Sequence, residues 1–304
     1  MSSNNGRKQK GLSKGAPSMA DVAWELPGYL MIIGGADRLD HTGTLAKLFL
    51  QLVERTERHS EQRDIVLVTT ATRHPDILEK EYVRIFTRYG YDPARIHSPA
   101  LSNHEDAMDP HTMDLLSRAA GIFITGGDQY ALTQVLDRST AERAIMDSYG
   151  RGAVVAGTSA GATAMGRPMV VAGGGTGELR MGMVQMSNGL GWAGDDIIID
   201  THFGARGRFP RLAASVAEHP AALGVGIDEN TCVLLDCHGH ATVWGTGVVY
   251  FVDASHAAVN TAHGTFPGTP ISVGPLQVAV LASGGEYDIR ERRVLLEMGA
   301  PARV

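Results

Sequence analysis

Ala153-Val154-Val155-Ala156-Gly157-Thr158-Ser159-Ala160-Gly161-Ala162-Thr163-Ala164 reads as a buried strand, a sharp turn and the start of a helix. Four apolar residues head the stretch and small, helix-compatible residues close it. Between them stands G-x-S-x-G in the strand-turn-helix setting that motif requires. A serine on so tight a turn needs neighbours without bulk, and the glycines supply that. Its hydroxyl then stands clear above a sheet while backbone N–H groups point at the reacting oxygen. The stretch predicts an α/β fold, a nucleophile elbow at Ser159, and the Ala160 N–H as an oxyanion donor.

Outward from the elbow, short apolar runs at 30–33, 65–69, 121–125 and 197–200 join 153–156 as candidate inner strands. Such continuous runs suit a mostly parallel central sheet with helices on both faces. Leu45, Leu48, Phe49, Leu52 and Val53 recur at helical spacing, as do Leu78, Tyr82, Ile85, Phe86 and Tyr89 before Gly90. These stripes predict flanking helices with core faces. Ser139-Thr140-Ala141-Glu142 fits a capping box opening the helix before the 153–156 strand. After Gly224, runs at 232–235, 241–244 and 248–252 separated by Gly-rich turns predict antiparallel hairpins that extend the same sheet. One catalytic domain over 28–304 follows, and residues 1–27, rich in Ser, Asn, Gly and Lys, are expected to be a disordered tail.

The 304-residue chain is 43% hydrophobic and 20% charged, inside the globular range. No apolar run is long enough for a membrane span and no apolar stretch near the start suits a signal peptide, so a cytoplasmic protein without membrane contact is expected. A net charge of -6 gives no general attraction to nucleic acid, although Arg7, Lys8, Lys10 and Lys14 make the tail basic. Cys232 and Cys237 are five apart in a strand-like segment, poorly placed to bridge each other. Cys237-His238-Gly239-His240 lacks a second ligand cluster and reads as a hairpin end, so no metal and no other cofactor is assigned.

A serine hydroxyl is a weak nucleophile and needs a base. Among twelve histidines, His202 stands just past the Ile197-Ile198-Ile199-Asp200 run, after Thr201, at a strand end where ligand sites gather in open α/β sheets. His41, His59, His74, His111 and His219 fall in helices or at their edges, where solvated or capping roles suffice. The carboxylate that orients the imidazole is expected in Gly226-Ile227-Asp228-Glu229, at the end of another apolar run, with Glu229 the choice. Glu178, in a Gly-rich segment, is the weaker candidate, because a flexible loop orients an imidazole poorly.

Five pieces occur together in order: Gly34-Gly35-Ala36-Asp37, the run from Phe123 to Gln129, the elbow, Asp200-Thr201-His202-Phe203 with Arg206, Arg208 and Arg211, and the run from Gly226 to Thr231. In these the chain, from about residue 29 onward, resembles the cyanophycinases. Those enzymes stand with the aspartyl dipeptidases among serine peptidases with a Ser-His-Glu triad and a fold like class I glutamine amidotransferases, of the flavodoxin-like type. The resemblance implies Ser159 as nucleophile, His202 as base and Glu229 as its orienter, with the Gly127 backbone completing the oxyanion hole. It implies substrate contacts at Gln129, Asp200, Thr201, Arg206, Arg208 and Arg211, cyanophycin as the polymer partner, and a homodimer. Where the family often has Gln between the Asp and the His, this chain has Thr201.

Cyanophycin is a polyaspartate carrying arginine on each β-carboxyl, so every unit offers a carboxylate and a guanidinium. The three arginines after His202 can fork onto carboxylates, and Asp200 can receive a cation. An aspartyl dipeptidase acting on short peptides would use the same chemistry. A non-catalytic binding protein of amidotransferase-like fold would keep the elbow as a turn alone.

Overall fold

Leu30, Met31, Ile32 and Ile33 are all buried, as a strand must be when both faces of its sheet are covered. The computed structural model describes residues 28–56, 63–174 and 179–295. The tail expected at 1–27 lies outside them. In chain order come β1 (Leu30–Ile33), α1 (Thr44–Arg55), β2 (Ile65–Val68), α2 (Pro75–Arg88), β3 (Ile96–His97), α3 (Pro110–Arg118), β4 (Gly121–Ile124), α4 (Gln129–Leu136), α5 (Thr140–Gly150), β5 (Val154–Thr158) and α6 (Ala160–Thr163). Then follow β6 (Met169–Gly173), β7 (Val184–Ser187), β8 (Ile197–Asp200), α7 (Phe209–Glu218), β9 (Leu223–Ile227), β10 (Thr231–Leu235), β11 (His240–Gly245) and β12 (Val248–Asp253). The last strands are β13 (Val259–Asn260), β14 (Val273–Gly274), β15 (Gln277–Ala282), β16 (Glu286–Asp288) and β17 (Arg293–Val294).

A nine-stranded sheet runs β17-β16-β11-β10-β1-β5-β4-β2-β3. The strands from β1 to β3 in that order are parallel, and β10, β11, β16 and β17 extend the sheet antiparallel. Alternate residues serve opposite cores, following the two-residue period of a strand. Leu30, Ile32, Val66, Val68, Ile122, Ile124 and Val155 point one way, toward α4, α5 and a second sheet. Met31, Ile33, Ile65, Leu67, Phe123 and Val154 point the other way, under α1 and α2. There Phe49, Tyr82, Phe86 and Phe123 pack ring against ring at 4.6–5.9 Å between centroids. Each such large side chain contributes about 1.5–3 kcal/mol of burial.

The structure corrects the single-sheet expectation at two strands. β8 and β12 belong to a separate four-stranded sheet, β15-β12-β9-β8. Its residues also alternate: Ile197 and Ile199 face the main core, while Ile198 turns to a third cluster with Leu212 and Val216 of α7. A strand that fills two cores reads as a continuous apolar run whichever sheet it joins. The expected capping box is half formed: Ser139 Oγ accepts from Glu142 N at 3.0 Å, but the Glu142 carboxylate accepts from Arg138 N and Trp192 Nε1 rather than reaching back to Ser139 N. Cys232 is buried in β10, and residues 236–239 form the β10–β11 hairpin turn. Among the described residues no group of acidic, His and Cys side chains is arranged to hold a metal, and no helix is long and apolar enough to cross a membrane.

Candidate active site

β5 ends at Thr158 and α6 begins at Ala160, so Ser159 occupies the corner alone. Its φ of 52° and ψ of -112° lie where few L-residues settle, a strain of the order of 1–3 kcal/mol that the surroundings must hold. Ser159 N donates to Ile33 O at 3.0 Å, tying the corner to β1. A β-carbon at Gly157 would lie 2.6 Å from Gly161 O, and one at Gly161 would lie 2.5 Å from Ile124 O. The two glycines of the motif are therefore required by close approach of backbone to backbone.

His202 follows β8 in a left-handed conformation, φ 50°. Its backbone N–H donates to Gly34 O at 2.7 Å, and its ring lies so close to Gly35 that a β-carbon there would be 2.5 Å from Nε2. Thus held, His202 Nε2 is 2.9 Å from Ser159 Oγ. On the other side of the ring, Nδ1 is 2.7 Å from Glu229 Oε1, in the turn between β9 and β10. Burial lowers the His202 pKa from its ordinary value; the Glu229 hydrogen bond opposes this, and the positive charges of Arg206 and Arg208 add to it. The imidazole is thereby neutral at pH 7 and free to accept a proton. The loop after β4 completes the corner: a β-carbon on Gly126 would be 3.7 Å from Ser159 Oγ, and Gly127, with φ 148°, follows it. Ala160 N–H opens α6, where an N–H has no intrahelical acceptor.

A serine at a strained strand-to-helix corner, a neutral histidine and a carboxylate in one hydrogen-bonded line are the parts of a serine hydrolase. The family model described as peptidase family S51 matches residues 30–243. The chain belongs to peptidase family S51.

This S51 peptidase, a serine-type peptidase, is 32% identical over 267 residues to a cyanophycinase of Trichormus variabilis, covering 88% of this chain and 87% of that protein. It is 31% identical to cyanophycinases of Synechococcus elongatus, over 88% of this chain and 81% of the relative, and of Geminocystis herdmanii, over 85% and 93%. Among solved structures, a peptidase from an acI-B1 Actinobacterium superposes with a TM-score of 0.64 at 20% identity, covering 87% of this chain and 98% of that one, a likeness of fold.

Several contacts expected of this S51 peptidase are engaged internally, and the reading of them changes. Asp200 is 1% exposed and does not present a free carboxylate. Arg211 grips it through Nε at 2.8 Å and through a second bond from Nη2, and Arg208 Nη1 adds a bond at 3.2 Å. Arg211 also donates to Gly173 O, and Arg208 to Thr201 O. Buried charge must find partners, and these three residues find one another. Burial lowers the Arg208 pKa to about 10, so it stays charged at neutral pH. Thr201 is buried with its hydroxyl 3.5 Å from Thr163 Oγ1 in α6, away from solvent. Gln129 spends its Nε2 on Val170 O and Val171 O, anchoring β6 beside the site. Arg206 is exposed and makes no side-chain hydrogen bond or ion pair among the described residues. Glu178 lies outside the described residues.

One contributor had no chemical reading in the sequence. Asp37 accepts from Thr158 Oγ1 at 2.5 Å and from Tyr82 OH at 2.9 Å, linking the residue before Ser159 to α2. Burial raises its pKa, against the pull of those hydrogen bonds. Its place in Gly34-Gly35-Ala36-Asp37 was the available signal.

Proposed function

We propose that the protein is a serine exopeptidase that hydrolyses cyanophycin to β-aspartyl-arginine, with Ser159 as nucleophile, His202 as general base and Glu229 as its orienter. The observation that carries this is the line Ser159 Oγ, His202, Glu229 Oε1, with bonds of 2.9 and 2.7 Å. Ser159 Oγ attacks the backbone carbonyl carbon beside a β-arginyl-aspartate unit as His202 Nε2 takes its proton. The N–H groups of Ala160 and Gly127 hold the developing oxyanion. The C–N bond then breaks, His202 returns the proton to the leaving amine, and an acyl ester stays on Ser159. Water, deprotonated by the same His202, releases the acid and restores the serine. Arg206, the exposed guanidinium beside His202, receives a substrate carboxylate.

The named relatives support the polymer as substrate, and the same reading makes the enzyme a cytoplasmic homodimer. One observation favours a second reading, an aspartyl dipeptidase on short peptides: Arg208 and Arg211 are spent on Asp200, and of the three only Arg206 makes no ion pair among the described residues. Incubation with cyanophycin, followed by mass spectrometry beside a Ser159→Ala control, separates the outcomes. Dipeptide release that falls by three or more orders of magnitude in the variant is expected. Turnover in Ser159→Ala within about tenfold of wild type would remove Ser159 from its role. Cleavage of Asp-X dipeptides alone would select the second reading.

A further inference from the structure

We propose that Asp228 is a positioning residue for the His202–Glu229 pair, its carboxylate fixing the turn that carries the base against the turn that carries the orienting acid. The proposal rests on the Ser-His-Glu reading and adds to it a residue that touches neither substrate nor the imidazole.

Three successive N–H groups hold the His202 turn. His202 N donates to Gly34 O at 2.7 Å, Phe203 N to Ile227 O at 3.2 Å, and Gly204 N to Asp228 Oδ1 at 2.8 Å. The first two acceptors are backbone carbonyls, one just past β1 and one in β9. The third is a side-chain carboxylate, and a hydrogen bond to a carboxylate is about twice as strong as one between neutral groups. The other carboxylate oxygen, Oδ2, accepts from Val248 N at 3.2 Å, while Asp228 N donates to Val248 O at 3.2 Å. Asp228 is thus clamped to β12 on one side and holds the base's turn on the other. Since the next residue is Glu229, a shift of Asp228 moves the acid relative to the ring.

The need for such a clamp follows from what it holds. His202 sits in the left-handed region, which a residue with a β-carbon enters only under constraint. The Glu229 side chain is 38% exposed, so burial does little to fix it. The space around Asp228 is fitted to it: a β-carbon on Gly204 would be 2.8 Å from Asp228 Oδ1. A β-carbon at 204 would have to push the carboxylate aside, and its absence brings the backbone N–H within reach of Asp228.

The test is a double-mutant cycle on the full chain, with kcat and KM read separately on the soluble polymer. Asp228→Ala is expected to lower kcat about 10- to 100-fold, the cost of a misplacement of about 1 Å, with KM within about twofold. In a Glu229→Gln background the same substitution should cost less than about threefold, because the register it maintains is already lost. Gly204→Ala, which pushes the turn off the carboxylate, should reproduce the kcat loss and serves if Asp228→Ala does not fold. Equal losses in both backgrounds, a rise in KM at constant kcat, or kcat within about twofold of wild type in the folded variant would each overturn the role of Asp228. Ser159→Ala runs alongside. If it retains turnover, the Ser-His-Glu reading falls; if it is inactive while the cycle is additive, the inference about Asp228 falls alone.

Discussion

Two carboxylates stand at the ends of neighbouring parallel strands, Asp200 closing β8 and Glu229 just beyond β9, and they do opposite work. Asp200 is 1% exposed and saturated by Arg208 and Arg211. The Glu229 side chain is 38% exposed and gives one oxygen to one histidine. A buried carboxylate wrapped in guanidinium is committed, since releasing either partner strands a charge away from water. A half-exposed one can tighten or relax its single bond as charge develops on the ring. Position at a strand end makes a residue a candidate; the number of partners its oxygens already have decides what it does.

Exchanging the two losses puts that contrast at greatest risk. Glu229→Gln should cut kcat by about 10²- to 10⁴-fold with little change in the urea midpoint, because only the imidazole loses its partner. Asp200→Asn should instead cost about 3–5 kcal/mol of stability, read by urea denaturation, because two arginines lose their anion. A stable Asp200→Asn with dead chemistry would invert the assignment. A smaller effect sharpens the comparison among the arginines. Arg206→Ala should raise KM about tenfold with kcat nearly unchanged, a loss of substrate binding alone, whereas a folding defect in that variant would place Arg206 with Arg208 and Arg211.

The smallest effect is on pH. His202 must be neutral to act as base, so kcat/KM is present above its pKa and lost as pH falls through it. Burial and the neighbouring arginines lower that pKa, which puts the acid limb below the ordinary histidine value of about 6.5. Removing the Arg206 charge, which helps lower that pKa, should move the midpoint up. A downward shift would mean that Arg206 does not face the ring.

The elbow was legible because its chemistry is local: five residues, their glycines and the strand before them carry the whole signal. His202 and Glu229 were legible as polar residues a short way past the ends of apolar runs, and the structure brings them into one line with Ser159. The separate sheet was not, because β8 and β12 are apolar on both faces and their periodicity does not say which neighbour they pair with. Nor was the fate of Asp200, since Arg208 and Arg211 lie within eleven residues of it and a basic cluster reads the same whether its guanidinium groups face a substrate or a buried carboxylate. Asp37 stood inside a motif that carried the resemblance, yet its link to Thr158 spans 121 positions that only the fold closes.

The packing around the corner also constrains how this site can be altered. Positions 35, 157 and 161 have no room for a β-carbon, and Thr201 is sealed beneath the surface. Random substitution there damages the frame before it reaches the substrate. A library meant to shift selectivity has its open ground at exposed Arg206, whose replacement disturbs no side-chain bond among the described residues, so altered preference and retained fold can be sought at the same position.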